Sequence, residues 1–417
     1  MSRTRTEVQL AFWSALTFGS LLTSFMTTRP VRDALVLDGD PAKIPWLFTV
    51  NFLIFVFIAP LWGSVVRKSP RRVVPASFHV FAVGSLVFAL LVEWKVGARV
   101  TPYVFYIWAA VYNQFVVSVF WSLLADLVGP TTARTLYGPI SAGGTIGAFC
   151  GPLLTKYLLD VIGFLGVMTL PVLFLELAVV GAWQIQRIAR NLDVNAIEAA
   201  SAGQRAREDE PLGENAWAGV TRMAKSPYLS ALGTFTCLTA IAATVVYIAQ
   251  AKLVQIELPD RHARTDYFAT LDFWQQSATF VVQLLVAPFL LRRFGPAPVL
   301  CLLPLLQFAG VVGFWLAPSL PLIAAIHISS RTVSLGLTRP ARELCFTVLP
   351  RDDKYRAKNV IDTLMYRFGD FLSSWMSLAL GFSVGLVALS VPLTIGWVAL
   401  AVVIGLGFRR RTKESLA

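Results

Sequence analysis

Charge is what this 417-residue chain has least of: Asp, Glu, Lys and Arg make up 14% of it, against roughly a quarter in a soluble domain. With 56% hydrophobic residues and a mean hydropathy of +0.65, it has too little polar surface to cover a water-soluble core of its size. The same composition excludes disorder. Histidine is scarce, and His79, His262 and His327 stand too far apart to form a metal set. The four cysteines, Cys150, Cys237, Cys301 and Cys345, lie singly in apolar stretches without a CxxC pair. Neither a zinc site nor a disulfide framework is encoded. No Gly-x-x-x-x-Gly-Lys-Ser/Thr loop occurs, which removes the usual machinery for ATP hydrolysis. No serine or histidine constellation suited to lipid chemistry appears in the apolar runs. An enzyme is therefore not expected, and no cofactor or metal is expected either.

What is there is a set of twelve apolar runs, roughly 9–31, 44–66, 73–94, 102–127, 138–159, 163–186, 228–254, 267–291, 297–317, 320–346, 359–383 and 386–408. Each approaches the ~20 residues a helix needs to cross a bilayer. The expectation is an all-α membrane protein with twelve transmembrane helices. If the N-terminus is cytoplasmic, the cytoplasmic segments hold 23 Lys+Arg and the opposite side 5. That is a strong positive-inside bias. It explains the net charge of +12 without nucleic acid, and it puts both termini in the cytoplasm. The first run reads as a retained helix, not a cleaved leader.

One polar stretch, 187–227, interrupts the pattern after the sixth run. It is too short to fold alone as a sensor domain. It divides the chain into an N-terminal six-helix half (1–186), a cytoplasmic linker (187–227) and a C-terminal six-helix half (228–417). An internal repeat supports two pseudo-symmetric halves: Thr28-Arg29-Pro30-Val31-Arg32-Asp33 recurs as Thr338-Arg339-Pro340-Ala341-Arg342-Glu343. Runs 1 and 10 are equivalent if each half consists of two three-helix units, the organisation of transporters with a central site. After run 2, Gly63…Arg67-Lys68-Ser69-Pro70-Arg71-Arg72 resembles a degenerate form of the Gly-x-x-x-Asp-Arg-x-Gly-Arg-Arg loop of the major facilitator superfamily. Arg67 and Pro70 depart from that pattern.

Charges inside the runs cost roughly 2.5–3.5 kcal/mol each on insertion scales, so they need a wet cavity or a partner. Arg29 and Asp33 are four residues apart, as are Arg339 and Glu343, and each pair is expected to neutralise itself. Arg32 and Arg342 are then surplus cations, one per half. The planar fork of arginine suits phosphate or carboxylate. The alternative for both arginines is interhelical ion pairing. Lys358, Asp362, Tyr366 and Asp370 recur every four residues and share a helical face, with Arg367 placed to pair with Asp370. A gate-locking salt-bridge network is an equal reading for Asp362 and Asp370. Run 4 carries Gln114, Ser118, Ser122 and Asp126 at the same spacing, and run 8 carries Asp272, Gln276, Thr279 and Gln283. An interhelical hydrogen bond returns only about 0.6 kcal/mol in membranes, so Asp126 and Asp272 are expected to be functional. Gly143, Gly147 and Gly151 read as a close helix-packing stripe.

Four blocks together resemble the ATP:ADP antiporter family of nucleotide transporters. They are Arg29-Pro30-Val31-Arg32-Asp33, Phe120-Trp121-Ser122-Leu123-Leu124-Ala125-Asp126, Ala142-Gly143-Gly144-Thr145-Ile146-Gly147, and Arg339-Pro340-Ala341-Arg342-Glu343 running on to Lys354-Tyr355-Arg356-Ala357-Lys358-Asn359-Val360-Ile361-Asp362 and Gly369-Asp370. The resemblance implies a major-facilitator-like fold, a bacterial inner membrane, and exchange of nucleotides without hydrolysis. It assigns phosphate contacts to Arg32 and Lys358 and an acidic role to Asp126. Arg32 stands where those exchangers favour Lys, and the seventh run around Lys252 has no acid.

The expected substrate-binding set is Arg29, Arg32, Lys252, Arg339, Arg342, Lys358 and Arg367. The expected coupling or gating set is Asp33, Asp126, Asp272, Glu343, Asp362 and Asp370. The partners are an anionic small molecule, with a nucleotide first, and the lipid bilayer, and a monomer is the simplest form. Proton-coupled movement of another organic anion or drug-like solute, with Asp126 or Asp272 titrating, is the alternative.

Overall fold

A long apolar helix must find partners for the polar atoms it carries, and α1 (Ser2–Val36) finds many of them within itself. The hydroxyls of Thr17, Ser20, Thr23, Thr27 and Thr28 each donate to the carbonyl four residues back, at 2.7–2.9 Å. Such back-bonding lets Ser and Thr lie in an apolar helix without exposed donors. In this computed structural model the backbone is described for residues 2–68, 70–127, 130–190, 218–350, 357–358, 360–380 and 384–416. Side chains are described over the same stretches apart from 2–5, 41, 58–72, 125–126, 130–135, 190, 218, 380, 384–387 and 415–416. The 67–72 loop side chains, Arg134, linker residues 191–217, Lys354-Tyr355-Arg356 and Asn359 lie outside the described residues.

The helices that follow are α2 (Ile44–Lys68), α3 (Pro70–Glu93), α4 (Thr101–Leu127), α5 (Pro130–Arg190), α6 (Ala218–Lys225) and α7 (Pro227–Glu257). Then come α8 (Arg261–Val281), α9 (Ala287–Phe294), α10 (Pro296–Leu316), α11 (Leu320–Val333), α12 (Arg339–Phe346), α13 (Tyr366–Leu380) and α14 (Val384–Leu416). Among the described residues all twelve apolar runs lie in helical segments, and the chain is an all-α, multi-pass membrane protein. Nine helices among the described residues are long and apolar enough to cross a bilayer, and one of them, Leu136–Ala189, covers 54 residues. It holds two runs, because Gly163 adopts φ 69°, ψ 178° and breaks α5 between them. A residue with a Cβ rarely tolerates that backbone.

Three π-helical turns occur among the described residues: Val282–Val286, Ser334–Thr338 and Val360–Met365. The middle one runs straight into α12. Pro340 has no N–H to offer Gly336 and would crowd a regular turn. The ladder widens instead, and the Arg339 N–H reaches back to the Ser334 carbonyl.

The chain forms two compact units. The first comprises 1–39, 58–214 and 260–273. Its core runs through Leu21, Phe78, Tyr112, Phe120, Leu175 and Ile185. Tyr112 is fully buried and donates to Ser24 Oγ at 2.6 Å, and Ser24 donates to the Pro171 carbonyl at 3.0 Å. The glycine stripe seats α5 on α1: a Cβ on Gly143 or Gly147 would fall on the backbone carbonyl of Ala15 or Gly19. The second unit comprises 40–57, 215–259 and 274–417. Its core includes Leu232, Phe235, Leu300, Phe346, Ile361 and Ile404. The first part of α2 belongs to it through Thr49, which accepts from Trp375 Nε1 at 3.0 Å, and through Phe52, stacked on Phe371 at 5.5 Å. Residues of α2 and of α8 are therefore divided between the two units.

Candidate functional site

In the first unit the Arg-Pro-x-Arg-Asp block sits in the last turns of α1. Arg32 donates from Nε and Nη2 to Asp33 Oδ1 at 2.9 and 2.7 Å, and its guanidinium lies 4.8 Å over the Tyr106 ring. Asp33 is buried. Arg29 reaches across to Asp272 of α8, at 3.3 Å, and Lys156 of α5 donates to Thr270 Oγ1 at 3.0 Å. The i,i+4 neutralisation expected from spacing is replaced here: Asp33 takes Arg32, and Arg29 serves a neighbouring helix. A long arginine can curl back onto an adjacent carboxylate, and the Asp272 carboxylate is too costly to bury in an apolar bundle without a cation.

Four further contacts hold the start of α8 in this unit. Arg261 Nε and Arg264 Nη1 donate to Asp38 at 2.7 and 3.2 Å, the Arg261 guanidinium lies 4.9 Å over Phe164, and His262 meets Asp160 at 3.1 Å. Sequence spacing gave no sign of the Asp38 pairing, because its members are more than 200 residues apart in sequence. Asp38→Asn is expected to cost about 1–2 kcal/mol, the range for hydrogen bonds to charged groups, moderated by solvent at the half-exposed Arg261. A lowered Tm of the purified protein reads it.

On α4, Gln114 and Ser118 are exposed and Ser122 is half-buried, with Ser122 donating to the Ser118 carbonyl at 3.0 Å. The Asp126 side chain lies outside the described residues.

The second unit carries the larger cluster. Arg342 donates from Nη2 to Asp362 Oδ1 at 2.6 Å and from Nη1 to Thr236 Oγ1 at 2.9 Å. Its Nε is buried and meets no acceptor among the described residues. Lys358 donates to Glu343 at 2.6 Å, so Glu343 is held from beyond its own helix and not by Arg339, which is exposed. Arg367 meets Asp370 at 3.3 Å and lies 4.4 Å over Phe55. Asp370 also accepts from Thr244 at 2.7 Å, and Arg331 donates to Tyr366 at 3.3 Å. The charges form two groups: Arg339, Arg342 and Lys358 with Glu343 and Asp362, and Arg331 and Arg367 with Asp370.

Lys252 is exposed on α7, about 24 Å along the helix from Thr236 and about 12 Å from Thr244. On the run-8 stripe, Asp272 is buried in the first unit. Gln276 accepts from Gln275, and Gln283 donates to the Leu335 carbonyl at 3.1 Å. Thr236, Thr244 and Tyr106 join the charged groups without a spacing signal that distinguishes them from other Ser, Thr and Tyr in apolar runs. No group of three or more potential metal ligands occurs among the described residues.

The sequence model for the Major Facilitator Superfamily matches residues 10–345. Among solved structures, the nucleoside transporter NupG is 15% identical, with a TM-score of 0.60 over 98% of this chain and 99% of that one. A bacterial homologue of the iron transporter ferroportin, in an inward-facing state, is 13% identical, with a TM-score of 0.62 over 98% and 99%. The xylose transporter XylE from E. coli is 11% identical, with a TM-score of 0.53 over 97% and 94%. At such identities the likeness is one of fold. No curated protein matches the chain.

Proposed function

The chain belongs to the Major Facilitator Superfamily, a membrane transporter of small molecules and not an enzyme, and from that premise we propose that it is a secondary transporter of an anionic solute. The two six-helix halves, 1–186 and 228–417, joined by the cytoplasmic linker 187–227, alternate access to it. The observation that carries this reading is Arg342. Its fork is held by Asp362 and Thr236, and its buried Nε–H is left over. A buried donor without an acceptor is costly, and an anionic oxygen removes that cost. Three cations, Arg339, Arg342 and Lys358, against two acids, Glu343 and Asp362, leave the region ready for negative charge. A bound anion relieves repulsion among the cations, and the empty carrier lacks that relief, which favours exchange over leak.

A nucleotide is the first candidate, through the resemblance of the Arg-Pro-x-Arg-acid and Lys358–Asp362 blocks to the ATP:ADP antiporters. In this reading Arg29, Arg32, Arg339, Arg342, Lys358 and Arg367 contact substrate, with Lys252 as a remote basic residue. Asp33, Asp126, Asp272, Glu343, Asp362 and Asp370 act in gating or coupling. The carrier works as a monomer in a bacterial inner membrane with both termini cytoplasmic, as the distribution of Lys and Arg supports. The second reading is proton-coupled movement of another organic anion or drug-like solute, with Asp126 or Asp272 titrating; Asp272 is buried beside Arg29.

Proteoliposomes separate the two. Vesicles loaded with ADP are expected to take up labelled ATP, and empty vesicles are not. Uptake of an organic anion that follows only an imposed pH gradient, with no ADP dependence, removes the exchange reading in favour of the second.

A further inference from the structure

Lys156 lies in the apolar span Leu136–Ala189, on α5, seven residues before the break at Gly163. That is about 10 Å along the helix, well inside the bilayer. The glycine stripe fixes its level against α1. Gly143, Gly147 and Gly151 lie against the carbonyls of Ala15, Gly19 and Thr23, and the same offset brings Lys156 level with Thr28, one residue from Arg29.

The two arginines near this level of the first unit have carboxylates: Arg29 meets Asp272, and Arg32 meets Asp33. Lys156 instead donates to a neutral hydroxyl, Thr270 Oγ1 of α8, at 3.0 Å. Asp160 stands four residues on in α5, where an isolated helix would pair it with Lys156, but it meets His262 at 3.1 Å. Asp266 lies one turn before Thr270 on the same face of α8 and forms no ion pair with Lys156. Among the described residues, then, no carboxylate lies in ion-pair range of this lysine. A charge within a membrane span is expensive unless a partner or a watery cavity compensates it, and a hydroxyl has no charge to offer. An ammonium group has three N–H donors, of which Thr270 takes one. Lys156 is half-buried, so the others can be reached.

We propose that Lys156 is an anion contact of the carrier, holding a negatively charged oxygen of the transported solute. This deepens the anion-exchange reading and rests on it. Thr270 orients the ammonium, and the solute supplies the negative charge that the hydroxyl lacks. A lysine offers a compact point charge on a flexible stem, which can follow a charged group that moves within the site.

The test is titration calorimetry of the full purified chain with ADP, AMP and citrate, a polycarboxylate without phosphate, beside thermal unfolding in the absence of anion. In Lys156→Gln the anion that the parent binds best is expected to lose about 10–100-fold in affinity, the scale of a hydrogen bond to a charged group. The Tm without anion is expected to be unchanged or higher. Lys156→Arg keeps the charge and should retain most of the affinity. Thr270→Val removes only the neutral partner and should leave the affinity unchanged. With ADP as the ligand, the ratio of ADP to AMP affinity should fall in Lys156→Gln, because the more highly charged solute loses more. A purely structural role moves both alike.

Parental affinity in Lys156→Gln overturns the proposal. So does an equal loss of affinity in Lys156→Gln and Thr270→Val with a lowered Tm in both, which marks Lys156 as a clamp on α8. If Lys156→Gln does not fold, acetylation of the parent by acetic anhydride decides, read by mass spectrometry: bound anion protects Lys156 if it is a contact and leaves its labelling unchanged if it is not. A parent that binds none of the three anions removes the anion-exchange reading itself, whereas a parent that binds and a Lys156→Gln that binds equally removes only the role of Lys156.

Discussion

Arg342→Gln is expected to lower anion exchange about 100-fold, the scale found when one partner of a buried, hydrogen-bonded charge pair is removed. The same change strips Asp362 of its closest cation and Thr236 of its donor. Breaking a buried pair from one side typically costs 3–5 kcal/mol. The Asp362 side chain is 30% exposed, so a loss of about 2–3 kcal/mol is expected here. The double variant Arg342→Gln/Asp362→Asn leaves neither charge alone and should regain most of that stability. Transport is where the two roles of Arg342 part. If the guanidinium binds the anion, the double variant is as well folded as the parent and remains inactive. If it only clamps α12 to the following π-turn, the double variant regains exchange along with its Tm, and the anion site has to be sought elsewhere.

Gly147→Val is expected to be among the most damaging single changes in the first unit. A Cβ at Gly147 falls on the backbone carbonyl of Gly19, and glycine stands on both sides of the contact. No side chain is available to swing away, so the helices themselves must part. Overpacking costs up to about 3 kcal/mol, a large share of a stability that is typically 5–15 kcal/mol. Separation of α1 from α5 would also loosen the helix that carries Arg29 and Arg32. Size-exclusion profiles and thermal unfolding of the purified variant report the effect. Gly138→Ala is the control: beyond its own helical turn nothing lies within 4 Å of its added methyl group, and no loss of stability is expected.

The helical runs and the glycine stripe were legible in the sequence because both depend on composition and a fixed period. Twenty apolar residues need no tertiary context to be recognised, and Gly143, Gly147 and Gly151 keep one face of α5 through any packing. The ion pairs were not legible. The i,i+4 rule describes an isolated helix, and in a bundle a neighbouring chain segment outbids it: Arg29 goes to Asp272, and Glu343 to Lys358. The face through Lys358, Asp362, Tyr366 and Asp370 assumed an α-helical period, whereas residues 360–365 form a π-turn. His79 shows the same limit from another side. It looked isolated in sequence, yet its Nδ1 lies 2.8 Å from Glu176, a residue 97 positions away.

The widened turn at Ser334–Thr338 makes the aim of the second arginine block depend on helical phase. The same residues wound as an ordinary α-helix would turn all that follows by about 100°. Arg342 would swing off Asp362 and Thr236 although every one of these side chains was still present. A relative that winds this turn regularly, with no residue removed, would therefore keep the motif in its sequence and lose its aim.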